Sequence, residues 1–239
     1  MEEDYIINLM KLEWRKHRLA HYFKSFFLCF ISIYGFVLLI SFGTKEEAED
    51  VMSSFQEFMT PVYIFSNITF IIFGSVLLSR LVIAEFRTNT MQVLFTYPIH
   101  RKRILFAKLM LTFLFTTGSL FTSIWIIQIL TYFLQPSLGF FEGTVTMQNL
   151  LATLPQTITN ALMMGAIALI PLFFGMRKKS TASTITSAVI IAFLINSTIS
   201  NGSESFSLMD VLFIPLILAL LGVGIAYLSF RNIHIRDLT

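Results

Sequence analysis

His17 and His21 stand four residues apart, the spacing that sets two imidazoles on one helix face for a metal. No third ligand accompanies them, so the pair reads as surface packing near an interface rather than as a metal site. The single cysteine, Cys29, lies inside an apolar run, where it can form no intrachain disulfide and behaves as a small buried hydrophobe. Asn201-Gly202-Ser203 fits the glycosylation acceptor pattern, which is permissive enough to arise by chance. There is no P-loop, CxxC pair, HExxH helix or EF-hand loop. Ser, His and Asp gather in no one segment, so no catalytic or cofactor-binding residue stands out. Chemistry-bearing side chains collect instead in Ala84–Lys108, AEFRTNTMQVLFTYPIHRKRILFAK, a charged island of helix length between two long apolar runs.

The elements that hold this island are membrane helices. The chain of 239 residues is 55% hydrophobic and 13% charged, with 26 Phe, whereas a soluble domain carries about 25% charge. Mean hydropathy is +0.75. An all-α integral membrane protein of one domain, residues 1–239, follows, because no polar stretch is long enough for a second core. Six apolar runs, near 23–43, 59–83, 104–134, 151–174, 181–199 and 209–230, are each long enough to cross about 30 Å of hydrocarbon. The third is longer than a bilayer needs, which points to projection into the cytosol around Lys108 or to tilt. Pro155 and Pro171 predict a kink or a broken end in the fourth.

Residues 1–21 open with Glu2, Glu3 and Asp4, unlike the basic start of a secretory signal. At about 100° per residue, Ile6, Ile7, Leu9, Met10 and Trp14 share one arc, opposite Asn8, Lys11, Arg15 and Arg18. This is the pattern of an amphipathic interfacial helix, anchored by Trp14 and meeting anionic lipid with its basic face; a cytosolic helix packed on the bundle is the alternative. With both termini in the cytosol, every Lys and Arg of the 17 falls inside except Lys45. Eight of the 14 acids, among them Glu46, Glu47, Glu49 and Asp50, fall outside. So lopsided a distribution sets the topology. The net charge of +3 is therefore an orientation signal and not a nucleic-acid footprint. Among the outer loops, Thr44–Phe58 is acidic, Gln135–Asn149 has an irregular composition with Pro136 and two Gly, and Ser200–Ser207 is short and polar.

Away from their end turns the runs contain no Asp, Glu, Lys, Arg or His. Ion-driven transporters usually carry such residues at mid-membrane, and pores carry charged rings or a filter. What remains is neutral: Asn67, Thr116, Ser123, Gln128, Asn160 and Asn196 head the set. These residues read either as interhelical hydrogen bonds or as a weakly polar path for an amphiphilic substrate. Energy for any uphill movement has to enter from outside the bilayer.

Within the island, Ala84–Tyr97 reads as a short helix stopped by Pro98, with Glu85 placed favourably for the helix dipole. Arg101, Lys102 and Arg103 mark re-entry into the bilayer, and the plain reading is a loop that only fixes topology. The order Glu85, Arg87-Thr88, Thr90, Leu94, Pro98, Arg101 and Arg103, Ile104 and Lys108 resembles the cytoplasmic segment of type-2 ABC export permeases. In that family the pattern runs E-x-x-x-G-T-x-x-x-L-L-x-x-P-x-x-R-x-x-I-x-x-x-K, and Asn89 stands here where the glycine is usual. The resemblance implies a coupling helix between spans two and three that docks in a groove of a separate ATP-binding subunit. It assigns that contact to Glu85, Phe86, Arg87, Thr88, Thr90, Met91 and Leu94. It further implies a second permease, identical or similar, a bacterial cytoplasmic membrane, and ATP and Mg bound by the partner, with no cofactor on this chain. The long re-entrant hairpin that many such permeases carry before the last span has only Ser200–Ser207 to form it. An ATP-driven export subunit for a peptide, antibiotic or lipid-like molecule is the function expected, and the chain itself is not an enzyme. A non-transporting scaffold or receptor that holds a soluble partner through the same island is the alternative.

Overall fold

The computed structural model describes residues 9–14, 22–46, 54–87, 101–139, 145–201, 204–207 and 213–231. Residues 9–14 are helical. They precede α1 (Tyr22–Glu46), α2 (Phe55–Leu78), α3 (Arg101–Leu138), α4 (Met147–Ile167), α5 (Pro171–Lys178) and α6 (Thr181–Ile195). Two strands, β1 (Thr198–Asn201) and β2 (Glu204–Ser207), lead into α7 (Phe213–Arg231). α2 runs on without a break through a π turn, Ser79–Ile83, and a last helical turn, Ala84–Arg87.

Among the described residues, four stretches are long and apolar enough to cross a membrane: Tyr22–Gly43, Phe55–Ile83, Arg103–Leu138 and Met147–Lys178. Thr181–Ile195 and Phe213–Ser229 are apolar but shorter. At 1.5 Å per residue a 15-residue helix such as α6 reaches only about 22 Å.

Several expected boundaries move for local reasons. α2 starts at Phe55 rather than near residue 59, because the Ser54 hydroxyl accepts from the Glu57 amide at 3.3 Å and Glu57 sits in the first turn. α3 carries on through Pro136 to Leu138, beyond the expected end near residue 134. Pro155 leaves α4 unbroken, whereas the chain does break at Ala168–Ile170, so that Pro171 opens α5. Proline at a first helical position costs no hydrogen bond. The carbonyl of Ile167 is taken up by the Ile170 amide at 2.9 Å instead. α6 ends at Ile195, before residue 199, where the Asn196 side-chain amide donates to the Ala192 carbonyl at 2.8 Å. The segment expected to be only a polar loop then pairs antiparallel, from Thr198 opposite Ser207 to Asn201 opposite Glu204. This four-residue ladder is the departure from an all-helical chain among the described residues.

The centre of the bundle is α2, α3 and α4, with α6 against α2 and α7 against α4. Each helix contributes a stripe at helical spacing: Phe58, Val62, Phe70 and Ile71 on α2, Leu120, Ile124 and Ile127 on α3, and Ala161, Met164 and Ile167 on α4. Lipid is as apolar as these side chains, so close contact rather than water exclusion must hold the helices together. Small residues permit it. A Cβ built on Gly222 of α7 would collide with the Ala166 carbonyl of α4. One built on Gly74 of α2 would come within 2.6 Å of the Thr116 hydroxyl of α3. Leu28, Leu39 and Phe133 point outward, as a lipid-facing surface requires.

Candidate functional site

Lys108 lies two turns into α3, beside Leu105 and Leu109 of a buried apolar cluster, and is fully buried. An ammonium there needs three acceptors. Lys108 Nζ donates to Glu85 Oε2 at 2.6 Å and to the Leu81 carbonyl at 2.9 Å, and it faces Glu13 Oε2 at 3.4 Å. Glu13 and Glu85 are themselves buried. Three pieces of chain therefore meet at one nitrogen: the N-terminal helical segment, the extension of α2 and the start of α3.

The π turn makes this meeting geometrically feasible. In it the Ala84 amide bonds to the Ser79 carbonyl, five residues back, so one extra residue is held in the turn. An extra residue re-aims all that follows by about 100°, and Glu85 ends up facing α3. The turn is itself fixed from outside, since Ile83 lies where a side chain on Gly175 of α5 would have to go. The basic turn after α5 is tight: Lys179 adopts φ 47°, and Ser180 then caps α6 by accepting from the Ser183 amide at 3.4 Å.

From Lys108 a buried polar seam runs along α3 through Thr112, Thr116, Ser123, Gln128 and Thr131. Thr112 donates to the Lys108 carbonyl at 2.9 Å and Thr116 to the Thr112 carbonyl at 2.8 Å. Farther on, the seam bonds to its neighbours. Asn67 of α2 and Asn160 of α4 form a reciprocal amide pair, at 2.8 and 3.3 Å. One turn away, Gln128 Nε2 donates to the Tyr63 hydroxyl at 3.4 Å, and Tyr63 shares a hydrogen bond with Thr157 at 2.8 Å. Thr157 donates its own proton to the Thr153 carbonyl at 3.0 Å, so Tyr63 is the donor to Thr157. Thr153 Oγ1 reaches Gln128 Oε1 at 3.4 Å and the Leu150 carbonyl at 2.9 Å.

Of the residues picked from sequence as a polar path, Asn67, Gln128 and Asn160 thus meet other side chains between helices, and Thr116 and Asn196 bond within their own helices. The Ser123 hydroxyl is buried without a hydrogen-bond partner among the described residues. Of those picked for coupling, Glu85 faces inward and Arg87 is exposed. Phe86 shares their short helix, and Thr88, Thr90, Met91 and Leu94 lie outside the described residues, as do His17 and His21. The Lys108 charge, expected near the point where α3 projects into the cytosol or tilts, is neutralised within the protein by Glu85 and Glu13. Glu13, Tyr63 and Thr153 were missed. A signal for two of them was present: Tyr63 is one turn before Asn67, and Thr153, Thr157 and Asn160 form a single helical stripe.

A family model described as "ABC-2 family transporter protein" matches residues 9–196. That range begins in the segment bearing Glu13 and ends at the Asn196 cap. The chain is also 34% identical, over 97% of its length and 100% of the relative's, to "Uncharacterized protein YcbO" of Bacillus subtilis (strain 168). No solved structure matches it. With clasp, seam and apolar helices all inside or beside the matched range, the chain belongs to the ABC-2 transporter family and is the permease, the non-catalytic membrane component, of an ABC transporter.

Proposed function

We propose that the chain is one of two permeases, identical or similar, in an ATP-driven exporter of an amphiphilic peptide, antibiotic or lipid-like molecule. It crosses the bacterial cytoplasmic membrane six times with both termini in the cytosol. A separate ATP-binding subunit, which holds ATP and Mg, presses on the segment after α2. The reading is carried by one observation: the buried Glu13–Lys108–Glu85 clasp sits at the root of that segment. A push delivered to Phe86, Arg87, Thr88, Thr90, Met91 and Leu94 would be passed by Glu85 to α3 and to residues 9–14 together. Glu85 acts here from inside, as the root of the coupling segment, and the residues beyond it make the contact. The neutral pairs of the seam, Asn67 with Asn160 and Gln128 with Tyr63, would let α2, α3 and α4 shift without uncovering charge in the bilayer. This supports bundle tilting between inward- and outward-open states, a population shift driven by the partner's ATP cycle.

The test is co-expression with an ATP-binding subunit, purification through a tag on this chain, and ATP hydrolysis in liposomes. Hydrolysis should depend on the permease. Leu94→Asp should lower it at least tenfold while leaving the permease inserted and its thermal stability unchanged, and adding Glu85→Ala should lower that stability as well. Full permease-dependent hydrolysis by the double variant would overturn the coupling assignment. Binding without permease-dependent hydrolysis would favour a scaffold.

A further inference from the structure

Residues 9–14, the start of α1 and the middle of α3 enclose a groove of about 560 Å³, within the roughly 300–1,000 Å³ of small-ligand sites. Its lining is almost wholly apolar, with Trp14, Phe23, Phe26 and Leu114 forming much of the wall. The rings brace one another: Trp14 lies 6.1 Å from Phe23 and 5.9 Å from Phe115, centroid to centroid. Gly118 opens the floor, since a Cβ built there meets nothing within 4 Å. Along α3 the lining runs from Leu111 to Thr122, roughly 16 Å at 1.5 Å per residue, which suits a linear hydrocarbon chain.

The walls are helical, so their backbone donors and acceptors are already used and offer a peptide backbone little to bond. Even the Thr122 hydroxyl is turned back onto the Gly118 carbonyl. Among the described residues one charge lies at the rim. Lys11 lines the groove, is exposed and has no ion-pair partner among the described residues. Glu13, two positions on, faces Lys108 instead. An apolar slot with a cation at its edge is complementary to an anion carrying a long hydrocarbon tail.

We propose that this groove seats an acyl chain of an anionic phospholipid, drawn from the leaflet that holds residues 9–14, with its phosphate against Lys11. The site does not depend on transport or on an ATP-binding partner. Its consequence is mechanical, because the lipid would hold the outer face of the segment whose other face supplies Glu13 to the clasp.

Trp14 and Trp125 are the two tryptophans of the chain, so Trp125→Phe leaves Trp14 as the reporter inside the groove. This variant is reconstituted in phosphatidylcholine vesicles carrying equal mole fractions of either brominated phosphatidylglycerol or brominated phosphatidylcholine. The anionic lipid should quench Trp14 with roughly fivefold higher apparent affinity, the lead expected from one lysine at a membrane surface. Lys11→Gln should bring that ratio to about one, and Lys11→Arg should keep it. Gly118→Leu should reduce quenching by both lipids. Quenching of Trp125 in a Trp14→Phe background, carried through the same variants, checks that each inserts normally. Equal quenching of Trp14 by both lipids with Lys11 intact would overturn the proposal. So would shielding of Trp14 from both, which would mean that a protein segment such as a second copy of the chain covers the groove.

Discussion

Lys108 carries more of the structure's logic than any other side chain, because a fully buried ammonium is tolerable only with its acceptors in place. Its partners come from residues 13, 81 and 85, so losing one of them exposes the cost of the rest. Lys108→Met should destabilise the protein by about 3–5 kcal/mol, since it takes the Lys108 ammonium away from the buried carboxylates of Glu13 and Glu85. Adding Glu13→Gln and Glu85→Gln to it should recover most of the loss, because neutral amides need no counter-charge. Thermal unfolding in detergent, followed by loss of the monodisperse peak in size exclusion, checks both. A Lys108→Met variant as stable as the parent would mean that the clasp bears no load. The sequence showed Glu85 and Lys108 as two ends of one pattern but not as partners. They are 23 residues apart, too far for any helical periodicity to relate them. Glu13 was harder still, because nothing in an amphipathic wheel says that one acid on the segment will be turned inward.

Between elements, the seam shows which part of helix packing is legible in advance. Asn67, Thr116, Ser123, Gln128 and Asn160 stand out in apolar runs because a polar side chain in hydrocarbon needs a reason, and all of them are buried or half-buried in helix contacts. Which residue bonds to which is set by how α2, α3 and α4 cross, and no periodicity within one helix encodes that. The same limit left open which proline marks the expected break: Pro155 and Pro171 look alike in sequence, and only Pro171 falls where the chain starts a new helix, after Ala168–Ile170. The Asn67–Asn160 pair gives a direct measure of what the seam contributes. In a double-mutant cycle with Asn67→Leu and Asn160→Leu, unfolding should report a coupling of about 0.6 kcal/mol, and no more than about 1.7. A coupling of zero would mean that the two amides exchange bonds with other neighbours as readily as with each other. Gly222 offers the packing counterpart. Gly222→Leu should cost about 1–3 kcal/mol by forcing α7 away from the Ala166 carbonyl.

For the molecule as a whole, the distribution of basic residues says more about orientation than the coordinates do, because no bilayer acts on a folded chain considered alone. The four long apolar helices and two short ones among the described residues are compatible with either orientation and with α6 and α7 as thin crossings. The charges favour one of them, with both termini in the cytosol. Of the 17 Lys and Arg, only Lys45 lies between the first two apolar runs, and the clasp lies at the opposite end of α2, with Arg80, Arg87 and Arg103 nearby in sequence. If both termini and the segment after α2 share the cytosolic side, a cysteine at Glu47 should react with an impermeant maleimide added to intact cells. Cysteines at Asn89 and Thr239 should react only after permeabilisation, all three being placed in a Cys29→Ser background. Six crossings require Asn89 and Thr239 to behave alike. If only one of α6 and α7 crossed, Thr239 would part from Asn89. Labelling of Asn89→Cys from outside would overturn the orientation, and with it any docking of an ATP-binding subunit on residues 86–94, because ATP is available only in the cytosol.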